Sequence, residues 1–200
     1  MNTDLTILMD RSGSMHSCCR EMQDSLNKLL CEQREQPDPC KLTVIMFDHA
    51  YDPACRGVPI QEAPTVRLEP RGNTALLDAM GRALHETAAR LEAEPPGNKV
   101  IFVVVTDGQE NSSKEYTKQD VQKLVQKQQE AGWHFTFLGA NQDAFAEAGG
   151  LGFSQGSVAN YSTHKAGQAL SLLSDKLRNV RSGDASSISY SDEERSTIAE

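Results

Sequence analysis

Five side chains in this 200-residue sequence carry oxygen donors at places where a hard metal ion would use them. Asp10, Ser12 and Ser14 stand in Asp10-Arg11-Ser12-Gly13-Ser14, directly after an apolar run. Thr74 closes Gly72-Asn73-Thr74, just ahead of a helical pattern. Asp107 stands in Thr106-Asp107-Gly108, directly after the most hydrophobic run of the chain. The set is two carboxylates and three hydroxyls, without imidazole or thiolate. Such donors suit Mg²⁺, Mn²⁺ or Ca²⁺ rather than zinc or copper. Gly13 and Gly108 are expected to let the chain turn tightly, so that the flanking donors face one centre. Taken singly, each residue has an ordinary explanation. Ser12 and Ser14 suit a helix start, and Asp107 suits a turn before Gly108. Their coincidence at three loops is what points to a cation.

The elements that must position these donors follow from hydrophobic period. Leu5 to Met9 reads as a strand buried on both faces, because its apolar run is nearly unbroken. Met22, Leu26, Leu29 and Leu30 mark one face of a helix over 20–35, ended by Pro37 and Pro39. Leu42 to Phe47 is a second buried strand. Residues 48–55 read as a turn, and Cys55 to Ile60 as a weaker strand that Pro53 and Pro59 confine to an edge. A Pro- and Gly-bearing loop covers 61–73. Leu76, Leu77, Met80, Leu84 and Leu91 predict a helix closed by Pro95-Pro96-Gly97, and Val100 to Val105 a central parallel strand. Thr117-x-x-Asp120 forms a capping box ahead of Val121, Leu124 and Val125. Trp133 to Leu138 is the next strand, with Trp133 assigned to the core. A short helix is predicted from Asn141 to Ala148, ended by Gly149-Gly150, then an edge strand near Ser157 to Tyr161. Ala166, Ala169, Leu170, Leu173, Leu177 and Val180 predict a final helix. The alternation implies an α/β fold: a doubly wound, mostly parallel sheet with one antiparallel edge strand and helices on both faces. In such folds ligands sit at the carboxyl ends of the strands, where all five donors fall.

These residues carry a resemblance. D-x-S-x-S, a distant Thr and an Asp in T-D-G are the three parts of the metal-ion-dependent adhesion site of von Willebrand factor A domains, and all three stand here in order. The neighbouring segments Ile7-Leu8-Met9-Asp10-Arg11-Ser12-Gly13-Ser14-Met15, Gly72-Asn73-Thr74-Ala75-Leu76-Leu77-Asp78-Ala79 and Val105-Thr106-Asp107-Gly108-Gln109-Glu110-Asn111 resemble the family as well. The likeness spans residues 3–180 and is greatest to small stand-alone members from bacteria and their phages. It implies a complete adhesion site in which Ser12, Ser14 and Thr74 give oxygens directly to the metal, while Asp10 and Asp107 act partly through water. It further implies an open metal position for an Asp or Glu carboxylate of a protein partner. Asp48 and Glu110 fall near the same rim, and Glu110 could reach the metal through water. Arg11 and Arg71 flank it and would attract an acidic ligand.

Composition narrows the function. The net charge is −8, with 24% charged residues. That balance argues against a nucleic-acid binder, which needs a basic patch, and against docking on anionic membranes. No apolar run reaches the ~18 residues of a membrane span. Met1-Asn2-Thr3-Asp4 enters the first apolar run without a basic segment, so no signal peptide is expected. The five cysteines (Cys18, Cys19, Cys31, Cys40, Cys55) are odd in number and lack a C-x-x-C pair. They read as reduced thiols of a cytoplasmic protein, with a soft-metal trap at His16-Ser17-Cys18-Cys19 as a minor idea. The five histidines have no partners at ligand spacing. A phosphotransferase that starts from an Asp after its first strand needs a second Asp where Ser12 stands. No phosphate loop, nucleophile elbow or H-E-x-x-H motif is present. The expectation is therefore a binding module and not an enzyme. A metal-dependent hydrolase or phosphotransferase is the first alternative, and a structural phage or assembly component with a stabilising metal the second. Residues 181–200 are Ser-rich and acidic, with two Arg against five acidic residues. They are expected as a tail outside a domain of residues 1–180, with Ser191-x-x-Glu194 able to cap one helical turn.

Overall fold

The structure, a computed structural model, describes residues 2–140 and 143–199. Six strands form one sheet in the order β3-β2-β1-β4-β5-β6. They are β1 (Thr3–Asp10), β2 (Cys40–Phe47), β3 (Tyr51–Pro59), β4 (Lys99–Thr106), β5 (His134–Gly139) and β6 (Val158–Asn160). All neighbouring strands pair in parallel except β3, which is antiparallel to β2. Helices α1 (Cys19–Arg34), α2 (Leu76–Glu92), α3 (Lys118–Glu130), α4 (Ala144–Gly150), α5 (Ala166–Ser182) and α6 (Asp192–Ala199) complete the chain.

The unbroken apolar runs in β1 and β4 are explained by a core on each face of the sheet. Leu5, Ile7 and Met9, with Ile101, Val103 and Val105, pack under α1 and α5. Leu8, Phe102 and Val104 turn to the other face, against Leu76, Met80 and Leu84 of α2 and Val121 and Val125 of α3. Period-2 alternation is present but hidden, because both faces are dry. Two charged groups tie the helices to the sheet and to each other. Asp4 at the start of β1 receives both terminal nitrogens of Arg90 from α2, at 2.6 and 2.8 Å. Arg181 of α5 is buried and donates to the carbonyls of Gln33 and Asp38, at 2.7 and 2.8 Å, which ties α5 to the end of α1.

Several boundaries differ from the sequence reading. β3 begins at Tyr51, where a turn was expected. Its hairpin partner β2 supplies the hydrogen bonds, and a register shift near Val44 takes up the irregularity. β5 starts one residue after Trp133. The predicted start of the short helix at Asn141 lies outside the described residues, and α4 runs from Ala144 through both glycines.

The larger correction concerns the end of the chain. Gly183, at φ 89°, closes α5 in the left-handed conformation, and the chain then folds back. Ser191 caps α6 reciprocally with Glu194, at 3.2 and 2.8 Å. Ile188, Tyr190 and Ile198 are buried in the core on the α1–α5 face. Arg195 donates to the Val158 carbonyl at 3.1 Å, covering the edge strand β6. An acidic, Ser-rich composition hid three apolar residues at wide spacing. We predict that Ile198→Ala lowers stability by about 2–5 kcal/mol, the range for emptying a buried aliphatic site, measured as a shift of the urea midpoint. An unchanged midpoint would show that the tail adds nothing to the core.

Candidate metal centre

Between β1 and β4 the chain changes direction. Strands after β1 are laid to one side and strands after β4 to the other, so the crevice at their carboxyl ends is the switch point of the sheet. All five predicted donors meet there. Asp10 is the last residue of β1 and is fully buried. One of its oxygens accepts the Ser12 N–H at 2.6 Å and the other accepts the Thr106 hydroxyl at 2.5 Å. The Ser12 and Ser14 hydroxyls lie 3.0 Å apart. Ser14 donates to Asp107 Oδ1 at 2.7 Å, joining the first loop to the third. Thr74, immediately before Ala75 at the start of α2, supplies the remaining hydroxyl.

Gly108 measures how closely these groups converge. A Cβ placed there would stand 2.7 Å from Thr74 Oγ1 and 3.3 Å from each of the Ser12 and Ser14 Oγ atoms. Any side chain would fill the space that the three hydroxyls surround. Gly108 is thus required by close approach and not by a left-handed turn, since its φ is not positive. The same correction applies to Gly13, whose Cβ would press on the Gly72 carbonyl at 3.3 Å. The left-handed residue is Gly72, at φ 65°, whose carbonyl accepts the Gly13 N–H at 3.1 Å. Three hydroxyls converge beside Gly108, with the Asp10 and Asp107 carboxylates bonded to the same loops, and oxygen donors of this kind are those a hard divalent cation takes. Among the described residues no cluster of three or more His, Cys, Asp or Glu has metal-binding geometry.

The charges on this rim sort into two kinds. Burial raises the pKa of Asp10, and the bonds from Thr106 and Ser12 only partly offset it. Burial likewise pushes Asp107 up to about 6; the Ser14 bond pulls it down and the Asp10 charge pushes it up. Asp48 behaves oppositely. Burial alone would raise it, yet Arg71, the Ala50 amide and Arg11 hold its carboxyl below the usual range. Its Oδ2 accepts Nε of both Arg11 and Arg71, at 2.9 and 2.8 Å. Arg11, expected at the rim, is buried and also bonds Asp52 at 2.8 Å.

Two further expectations change. Glu110 is occupied by protein donors: the N–H groups of Leu77, Ser112 and Ser113 and the Ser113 hydroxyl. The vicinal cysteines bond different carbonyls, Cys18 that of Met15 and Cys19 that of Leu68. Cys18 is buried, with its thiol raised to about 11 chiefly by burial. Sequence reading missed Thr106, whose hydroxyl anchors Asp10. Its only signal was its place beside Asp107.

In EDTA, Asp107 destabilises the fold more as pH rises from about 4 to 6, because its folded pKa lies above the unfolded value of 3.8. Asp107→Asn keeps an oxygen for Ser14 and removes that charge. We predict that the variant is more stable than wild type at pH 7.5 but not at pH 4, measured by urea unfolding in EDTA. An equal difference at both pH values would contradict this origin.

Comparison with known proteins places the fold and the family. No match was found among curated proteins. Proximal thread matrix protein 1 of the mussel byssus, solved with a zinc-occupied MIDAS motif, is similar at TM-score 0.65 and 17% identity, over 88% of this chain and 48% of that one. A von Willebrand factor type A structure from Catenulispora acidiphila matches at 0.63 and 17%, over 89% and 43%. Manganese-loaded TRAP protein of Plasmodium vivax matches at 0.58 and 18%, over 84% and 71%. At these identities the likeness is one of fold, and the chain spans about half the length of the mussel structure. The family model for the von Willebrand factor type A domain matches residues 4–176. With its sheet order, its helices on both faces and nearly its whole length accounted for, the chain belongs to the von Willebrand factor type A domain family.

Proposed function

We propose that this domain is a divalent-cation-dependent protein-binding module and not an enzyme. The observation that carries the reading is the convergence of the Ser12, Ser14 and Thr74 hydroxyls beside Gly108, with the Asp10 and Asp107 carboxylates in the same crevice. Ser12, Ser14 and Thr74 are the residues that would hold a cation directly; Asp10 and Asp107 supply the countercharge. Magnesium is the ion we favour, with manganese or calcium fitting the same oxygen donors. The metal-loaded relatives, one with zinc and one with manganese, support divalent binding in this fold. With so few direct anionic ligands, a bound cation would stay electrophilic and take an Asp or Glu carboxylate from a partner protein. Two carboxylates of the rim are already occupied: Asp10 accepts from Ser12 and Thr106, and Glu110 from the Leu77, Ser112 and Ser113 amides and the Ser113 hydroxyl. The five free thiols accord with a reducing, cytoplasmic setting.

The test is direct. Mg²⁺ should raise the Tm of the wild-type domain relative to EDTA. Ser14→Ala, at an exposed position, should lose that rise while leaving the EDTA value little changed. Acetate, followed by NMR, should shift resonances around Thr74 and Ser14 with Mg²⁺ present but not with EDTA. A wild-type domain indifferent to every divalent ion would overturn the proposal. Turnover of a generic phosphate ester that requires Asp10 would replace the binder with an enzyme.

A further inference from the structure

The N-cap of α2, Ala75, has no side-chain acceptor for the amides of the first turn, the work a cap ordinarily does. In α2 that work is done by another segment. The Leu77 N–H donates to Glu110 Oε2 at 2.9 Å, and the Asp78 N–H donates to Ser113 Oγ at 3.1 Å. Both acceptors lie in the loop between β4 and α3, more than thirty residues away in sequence. Asp78 returns the contact: its carboxylate accepts the N–H groups of Lys114, Glu115 and Tyr116, at 2.9, 2.8 and 2.9 Å. The main chain of Thr74 is gripped by the same loop at two points. Its N–H donates to Asn111 Oδ1 at 2.9 Å, and its carbonyl accepts the Asn111 N–H at 3.0 Å. The Thr74 hydroxyl is left out of all these bonds and lies among the Ser12 and Ser14 hydroxyls beside Gly108.

We infer that residues 110–113 are a substitute cap for α2, and that Asn111 is the positioning residue that holds Thr74 in place with its hydroxyl facing a cation. The inference rests on the metal reading proposed above. Physically, the first-turn amides need acceptors. The loop supplies them to Leu77 and Asp78, and it holds Thr74, one residue before the N-cap, by its main chain and not by its side chain. Asn111 then sets the height of Thr74 in the crevice relative to Asp107, because both belong to one bonded loop. Supporting residues of this kind alter metal affinity by about 10–100-fold in other sites.

Asn111→Ala, Asn111→Asp, Thr74→Ala and the double variant Thr74→Ala/Asn111→Ala test this by Mg²⁺ titration calorimetry. Amide hydrogen exchange at Thr74 in EDTA supplies an independent readout. Asn111→Ala should weaken Mg²⁺ binding about tenfold or more and expose the Thr74 amide to exchange. Asn111→Asp keeps the acceptor oxygen and should retain wild-type affinity or better, with the amide protected. In the Thr74→Ala background, Asn111→Ala should cost almost nothing further. Unchanged affinity in Asn111→Ala would overturn the inference. So would an equal loss in both backgrounds, which would mean that Asn111 acts elsewhere, and so would an Asn111→Asp variant as weak as Asn111→Ala. A wild-type protein with a protected Thr74 amide and no divalent binding would remove the metal reading itself, and this inference with it.

Discussion

The carboxylate of Asp10 is the contact on which the crevice depends. It is buried at the end of β1, where an ionised group is costly unless its oxygens are bonded. Both are: one to the Ser12 amide and one to the Thr106 hydroxyl. The first bond sets the turn that carries Ser12 and Ser14. The second joins the ends of β1 and β4, the two strands between which the sheet changes direction. Ser14 then reaches Asp107 across the same gap. A single carboxylate thus relates the first loop to the third, and the loop after β4 relates the third to Thr74.

The surrounding architecture packs both faces of the sheet and keeps the charges separate. On the β2 side of the rim, Asp48 is satisfied by two arginines and a backbone amide. Asp10 and Asp107 have hydroxyl and amide partners but no guanidinium or ammonium partner among the described residues. Their raised pKa values and the lowered one of Asp48 record the same fact. One group of acids has its cations within the protein. The other is a pair of carboxylates in a hydroxyl-lined space, the condition in which an external cation gains most.

Much of this was legible before any coordinates. The runs at Leu5–Met9 and Val100–Val105 could only be strands covered on both faces, and Pro53 and Pro59 could only lie on an edge. The capping boxes at Thr117 and Ser191 are local patterns with local consequences, and both form. The less legible features depend on partners far away in sequence. β3 extends back to Tyr51 because β2 pairs with it. Ile188, Tyr190 and Ile198 are too widely spaced to show a period, yet the edge of the sheet gathers them. Glu110 and Arg11 looked like rim charges because exposure cannot be read from residue type.

By itself, the sequence determined the element order, the parallel sheet and five candidate donors in three loops, because periodicity and the residues that flank each element are local properties of the chain. Tertiary structure decided how those donors meet: the 3.0 Å approach of Ser12 to Ser14, the bond from Ser14 to Asp107, and the grip of Asn111 on Thr74. It also decided why Gly13 and Gly108 are glycines, through close approach rather than backbone torsion. The reason is the same throughout. A site made by three loops from distant parts of the chain has its distances set by packing and by bonds between loops, and neither is written in the spacing of residues along one strand or helix.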